Sequence, residues 1–513
     1  MVDELKPQNR PTFRVAHWFR CQGLVSRDNF LAFQKTFVEI VNSLTSKTGD
    51  DLWVYVRGLF DFDDYADCVP INAANLSIVF NPVQRFMNAQ AIDWNRDISL
   101  QKRTQPFVHT IQVAREMIAK QLNVAPELIA LQRNGSDPNA VITNGLDFKE
   151  GEEVVYWVEN HPTLNNVAWY IRQNRFPNIG NPKGVTIPKE DLATANIPNI
   201  VKAFTDAVND NTKIVAFSEV SHLTGTLLPA KEICAGIHKD YPNVHVHVDG
   251  AQSWGAMKHD LQDMGCDSYS GGSHKWYVGP KECGILYMKK ERVPNFAPKD
   301  IGYDGEMEPP PDLTPRPEGE EPETLQNDAS RFEMVGQRND TNLIGLLYTG
   351  DLLELIGFEN IGVRIHDLTK HLRKRLLTVQ HEVSEYFGVG TDVIFAIETP
   401  DDQFETQMYH AILVLKFNEP PYPSASIKCR KKSKKPRGSK KAKSTEKADL
   451  SVRLYNRIYD NHKICLSTKK ENRMRISPHI YNTIDHMDRL AEAIKQELIY
   501  ILNSESETVE PTA

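Results

Sequence analysis

Short apolar runs bounded by polar residues and glycine recur along the chain, and each reads as a buried strand. They are VVYWV ending at 158, IVAFS at 214–218, VHVHVD at 244–249, DVIFAIE at 392–398 and AILVLKFN at 411–418. KECGILYMKKERV at 281–293 closes the first group. Other stretches carry helical spacing. DNFLAFQKTFVEIVNSLTS at 28–46 predicts a helix with Asp28 as N-cap. Phe107, Ile111, Ala114, Ile118 and Leu122 form one apolar face over 107–122, and 486–502 is amphipathic in the same way. Helices are expected within 341–387. Strands alternating with helices imply an α/β architecture.

Composition narrows the class. Apolar residues make up 40% and charged residues 25% of 513, ordinary values for a soluble globular protein with room for more than one domain. No apolar run approaches the roughly 18 residues of a membrane span, and MVDELKPQNRPTFR lacks the order of a secretory signal. Seven scattered cysteines without a C-x-x-C pair point to a reduced, cytoplasmic protein without structural zinc. The net charge of −8 is uneven. Arg430–Lys447 holds ten Lys or Arg and one Glu, +9, which leaves −17 elsewhere. An acidic body argues against a nucleic-acid groove, so the basic block is the one candidate for nucleic acid or nuclear import. It reads first as a solvated insertion, because no aromatic residue interleaves it. Ile301–Ser330 carries six prolines and nine acids, the composition of a mobile loop.

The chemistry concentrates where VHVHVD meets GAQSWG and where SGGSHKWYVGP follows at 270–280. A strand delivers Asp249 to its C-terminal end, and a Gly- and Ser-rich turn presents Lys275. A lysine amine can form a Schiff base with an aldehyde, and a carboxylate can keep a pyridine nitrogen protonated. The pair suits pyridoxal phosphate. His245 and His247 lack a third ligand at metal spacing and read as buried strand residues.

These motifs resemble the class-V aminotransferase group of fold-type I pyridoxal-phosphate enzymes, which includes cysteine desulfurases, selenocysteine lyases and isopenicillin N epimerase-like proteins. The resemblance runs through 70–290 and 331–485. It implies a large domain at 71–299 with a mixed, mostly parallel seven-stranded sheet between helices. A smaller α+β domain at 331–505, with the insertion 419–450, would follow the loop 300–330; residues 1–70 would form an N-terminal arm packed on the main domain or on a partner subunit. RNGSDPNAV resembles the family's phosphate turn, with Gly135 allowing close approach and Ser136 at a helix start. Ser–Asp–Pro is equally a plain N-cap. His161, after a strand end, corresponds to the ring that stacks on the cofactor. Gln252 corresponds to the donor to the 3-oxygen, and Ser273 and His274 to phosphate ligands. In S-E-V-S-H-L-T-G the family's Asn is replaced by His222. Two readings stand for it: a proton carrier, or a substitute hydrogen-bond partner. The turn Asn72–Ala73–Ala74–Asn75 corresponds to a substrate-pocket segment. R-I-S-P-H-x-Y-N-T places Arg475 where the family clamps a substrate carboxylate, a task suited to a guanidinium fork. R-F-E followed by Gly336–Gln337–Arg338 departs from the family's Gly–Thr, which reaches the phosphate of the other subunit of a homodimer.

The resemblance implies an amino-acid substrate and an aminotransferase, epimerase or lyase of the isopenicillin N epimerase-like group. Cysteine desulfurase chemistry needs a cysteine on a flexible loop. Cys465, within KICLS, reads as a core thiol on a strand. A non-catalytic binding protein of the same fold is the third reading, and the joint presence of Asp249, Lys275 and Arg475 argues against it.

Overall fold

The apolar runs pair edge to edge into sheets. The structure, a computed structural model, describes residues 27–60, 68–96, 100–175, 178–298, 328–333, 338–399, 410–420 and 448–507. The strands of the first half are β1 (Val69–Pro70), β2 (Ile129–Gln132), β3 (Glu153–Trp157), β4 (Lys183–Val185), β5 (Thr212–Ser218), β6 (His245–Asp249), β7 (Ser268–Gly272) and β8 (Gly284–Met288). Seven of them form one sheet in the order β2-β8-β7-β6-β5-β3-β4. The pairs β4–β3, β3–β5, β5–β6 and β6–β7 are parallel, and β8 runs antiparallel between β7 and β2. This is the mixed, mostly parallel sheet of the fold-type I class. Parallel strands need crossovers and are covered on both faces, and β5 to β8 are buried almost throughout. That is why IVAFS in β5 and GILYM in β8 read as continuous apolar runs, whereas β7, Ser-Tyr-Ser-Gly-Gly, leaves no such trace.

A second sheet comes from the C-terminal half. With β9 (Phe395–Ile397), β10 (Leu413–Phe417), β11 (Ile464–Cys465), β12 (Ser467–Lys469) and β13 (Arg473–Ile476), the antiparallel order is β12-β13-β10-β9. Its inner face shares a core with the helices Phe358–Phe387, Leu450–His462 and Ile484–Glu507, through Leu376, Leu415, Leu454, Met474 and Leu490. The strands predicted over 392–398 and 411–418 are therefore present but shorter, and the closing helix is longer. β1 pairs in parallel with β11, which ties residues near the N-terminus to the second sheet.

The helix Arg27–Ser46 packs on the first core. Phe33 lies tilted against Phe86, ring centres 4.4 Å apart, and meets Tyr348 edge-on at 5.1 Å. Asp28 lies inside the first turn instead of capping it. The helix expected over 107–122 spans Leu100–Gln121, with Ala114 and Ile118 buried. The basic block 430–447, residues 301–327 of the acidic stretch, and Gly336–Gln337 fall outside the described residues. Arg338 is described. Its guanidinium donates to the carbonyls of Leu131 and Glu333 in its own chain. Cys465 departs from a core thiol: it is half-buried, and its sulfur lies 2.9 Å from that of Cys68, across the β1–β11 pair.

One glycine is required by close approach at the end of β6. A Cβ on Gly250 would lie 1.9 Å from the Tyr269 hydroxyl oxygen. That hydroxyl lies 3.0 Å from the Ser253 hydroxyl and 3.2 Å from His259 Nε2, in a wholly buried network. Overpacking a filled core costs about 1–3 kcal/mol, and more where the ring has no room to withdraw. We expect Gly250→Ala to destabilise the protein by about 3 kcal/mol or more, read from denaturant unfolding. An unchanged midpoint would contradict this packing.

Candidate active site

The carboxyl ends of the parallel strands converge on one cavity, the usual ligand position in an open α/β sheet. β3 ends at Trp157 and is followed by His161 and Thr163. β5 ends at Ser218, with His222 beyond it. β6 delivers Asp249, then Ala251 and Gln252. β7 ends at Gly272, and His274 and Lys275 follow. The helix Ser136–Gly145 points its N-terminus at the same space, and β12 and β13 contribute Lys469 and Arg475. Together they line a cavity of about 470 Å³.

Asp249 is 2% exposed. Its carboxyl accepts from the Ala251 amide at 2.9 Å and from Asn139 Nδ2 at 3.3 Å. Asn139 also accepts from Ser270 Oγ at 2.8 Å, lies 3.2 Å from His247 Nε2, and donates to Thr163 Oγ1 at 2.9 Å. His245 and His247 share the Ser268 hydroxyl at 2.7 and 2.8 Å. These buried histidines thus brace the strand floor beneath the cavity.

Lys275 is nearly enclosed. Burial brings its amine down to about 8, opposed by the Asp249 charge and assisted by Arg475. Burial, with the neighbouring His161 and Arg475, carries His222 down to about 3. His161 is lowered by burial against the pull of Asp249. The two rings lie 5.3 Å apart, edge to face, and His161 Nδ1 lies 3.1 Å from Thr163 Oγ1. Both imidazoles are therefore neutral at pH 7. Burial and the charges of Lys275 and Lys281 take His274 down to about 4.

At the other wall, Gly135 and Gly272 bring two backbones together: a Cβ on Gly272 would stand 3.0 Å from the Gly135 nitrogen. The helix cap differs from the sequence reading. Asn134 Oδ1, not Ser136, accepts the amides of Ser136 and Asp137. The Ser136 side chain is left exposed to the cavity. Gln252 lines the cavity, with Nε2 donating to the Ala74 carbonyl and Oε1 accepting from Trp276.

Two expectations are corrected. Ser273 does not face the cavity; its buried hydroxyl donates to the Pro280 carbonyl at 2.5 Å and closes the Lys275 turn. Asn72 also stays outside. Its backbone bridges to Ser477 and its Oδ1 is buried, while Ala74 and Asn75 of the same turn line the cavity. Sequence reasoning also left several lining residues unassigned, among them Asn139, Thr163 and Lys469. Asn139 had a signal, since it sits one turn beyond Ser136 on the sheet-facing side of a helix. Thr163 lies two residues past His161 in the turn that follows β3. Lys469 lies in a polar stretch and had none.

The residues fit pyridoxal phosphate. A buried lysine and an anchored carboxyl share the cavity, and a helix N-terminus, a free hydroxyl and His274 gather where a phosphate would sit. At the opposite side of the cavity His222 Nδ1 and Arg475 Nε are buried without hydrogen-bond partners among the described residues.

Comparison with known proteins agrees. The family model described as aminotransferase class-V matches residues 74–386, more than half the chain. A cysteine desulfurase of Synechococcus elongatus is 31% identical over 51% of this chain, and the match spans 39% of that relative's length. Isopenicillin N epimerase of Amycolatopsis lactamdurans is 24% identical over 77% of this chain and 86% of its own. Among solved structures, the apo cysteine desulfurase of Thermococcus onnurineus superposes with a TM-score of 0.64 at 19% identity, covering 86% of this chain and 97% of that one.

The depressed Lys275 amine has a measurable consequence. Only the neutral amine attacks an aldehyde, and its neutral fraction rises as pH climbs through about 8. We expect the rate at which cofactor-free protein captures pyridoxal phosphate, followed by absorbance, to rise with a midpoint near that value. A midpoint near the ordinary lysine range of about 10.4 would contradict it.

Proposed function

The chain belongs to the class-V aminotransferase family of pyridoxal-phosphate enzymes, and from that premise we propose that it acts on an amino acid as an aminotransferase, epimerase or C–S/C–N lyase of the isopenicillin N epimerase-like kind. The observation that carries this reading is the presence of Lys275, Asp249 and Arg475 in one cavity. Bound pyridoxal phosphate supplies an aldehyde for a lysine amine and a ring that withdraws electrons from the substrate α-carbon.

The chain's own residues divide the remaining work. Asp249, locked by Ala251 and Asn139, would answer the ring nitrogen of bound pyridoxal phosphate and favour its protonated form. Ser136, His274 and the helix N-terminus would hold the phosphate. His161 would pack against the ring, and Gln252 has a second amide hydrogen that the ring hydroxyl would accept. Arg475 grips the substrate α-carboxylate. Lys275 would take and return the substrate α-proton, for which an amine brought down to about 8 is suited. His222, neutral beside it, is the second proton carrier or a hydrogen-bond partner.

Desulfurase chemistry is the alternative, since relatives carry that name. It would need a cysteine at the substrate. Among the described residues Cys68, Cys234, Cys266, Cys283 and Cys465 all lie off the cavity lining, and Cys21 and Cys429 fall outside the described residues. We further propose the divisions 1–70, 71–299, 300–330 and 331–505, a cytoplasmic homodimer, and no nucleic-acid partner. Light scattering should give twice the chain mass.

Purified protein should show a yellow absorbance band that Lys275→Ala abolishes. Amino acids should perturb the band and exchange their α-hydrogen in deuterium oxide. Arg475→Gln should raise KM by about 10-fold or more, the worth of a buried charge-assisted contact. If no amino acid perturbs the wild-type band, the enzymatic reading falls.

A further inference from the structure

The cavity holds more positive charge than one amino-acid carboxylate can answer. On the β12–β13 pair, Ser467 stands opposite Arg475, and Lys469 opposite Arg473. Residues two apart on a strand share a face, so Lys469, Arg473 and Arg475 all project from the same side. Met474 and Ile476 point the other way, into the second core. The three cations have different fates. Arg473 is answered by Glu398, at 2.6 and 2.9 Å, and by Glu471. Lys469 and Arg475 line the cavity, and among the described residues no carboxyl pairs with either. Arg475 is 2% exposed. Its Nη1 donates to the His222 carbonyl at 3.0 Å, and its Nε is buried without a partner.

The cavity's own carboxyls are already engaged. Asp249 is held by Asn139 and Ala251, and Asp137 by Arg133 at 2.8 Å. Lys469 does not belong to the phosphate end. It shares the β12–β13 strand pair with Arg475, whose Nη1 holds the His222 carbonyl, whereas the helix Ser136–Gly145 and His274 build the phosphate end from the large sheet. It sits diagonally across the strand pair from Arg475, a spacing of about 7–8 Å in antiparallel ladders. Two cations so placed and partly desolvated repel each other, and an anion on each relieves both. Arg475 takes the α-carboxylate, so Lys469 is left for a second anionic group on the same molecule.

We propose that Lys469 is a specificity-determining residue, and that the substrate is an α-amino acid whose side chain ends in a carboxylate. This rests on the reading that Arg475 binds the substrate α-carboxylate. Lysine presents a compact charge with three donors on a flexible stem, which suits side chains of more than one length.

The test uses the cofactor-loaded enzyme and its absorbance band. L-glutamate and L-2-aminoadipate should bind at least about tenfold more tightly than L-glutamine, the differential worth of one desolvated charge pair. Lys469→Gln should erase that preference without weakening glutamine, and Lys469→Arg should keep it. Equal affinity for acid and amide in the wild type overturns the proposal, as does an equal loss for both ligands in Lys469→Gln. A second measurement avoids the chemistry. Glutarate, which has no amine, should raise the thermal midpoint of the wild type more than butyrate does, and Lys469→Gln should lose the difference. If neutral amino acids perturb the band but diacids show no advantage, this proposal alone fails. If no amino acid perturbs the band, the enzymatic reading fails, and the glutarate comparison still decides whether Lys469 and Arg475 form a two-anion site.

Discussion

A cluster of partly desolvated cations gathered in one cavity opposite the anchored carboxyl of Asp249 governs this molecule. Lys275, Lys469 and Arg475 meet in one cavity, and burial pulls all three below their ordinary values, to about 8, 8 and 10. A protein accepts such a concentration only where anions arrive to complete it. Asp249 is the fixed counter-charge. Its rigidity depends on a backbone amide and on Asn139, whose remaining bonds run to Thr163, Ser270 and His247.

The fold places this cluster by topology more than by local sequence. Parallel strands end on the same edge of the sheet, so residues from four of them meet without being near in sequence. The second sheet then brings the cations of β12 and β13 over that edge. Behind the cavity, Glu219 joins neighbouring strand ends: its amide donates to the Asp249 carbonyl at 3.0 Å, and its carboxyl lies 2.9 Å from His259 Nε2. Burial alone would raise Glu219, but His259 and Ser253 outweigh it and hold the carboxyl ionised. The loop that carries His222 is pinned by Glu159, which accepts from Ser221 and Thr224 at 2.5 and 2.7 Å. His222 is therefore presented on a fixed support, and its neutral ring stands edge to face with His161.

The contrast between Ser273 and His274 shows how a motif can mislead by one residue. Both precede Lys275 in a turn rich in small residues. The backbone there is committed to closing on itself, with the Gly279 amide donating to the Ser273 carbonyl and the Ser273 amide to that of Cys283. Ser273 consequently points into the turn and only His274 reaches the cavity. The same holds at Asn72, where pairing with Ser477 hides the side chain and hands the cavity to the second half of the turn.

The sequence by itself determined four of the seven strands of the large sheet (β3, β5, β6 and β8), the Asp249 and Lys275 pair, and the motif around Arg475, while β2, β4 and β7 emerged only in the structure. In each case burial imposes an apolar pattern, or the chemistry demands a residue type beside glycine and serine, and both leave a local trace. Tertiary structure alone decided which side chains share the cavity. Lys469 carries no local mark, because its meaning comes from a strand pairing that sets it diagonal to Arg475 and gives Arg473 the nearby carboxylates. The Asn134 cap was equally hidden, since a polar residue in a turn looks the same whether it meets water or a backbone amide. Contacts between residues distant in the chain depend on register and crossover, and no short window of sequence records them.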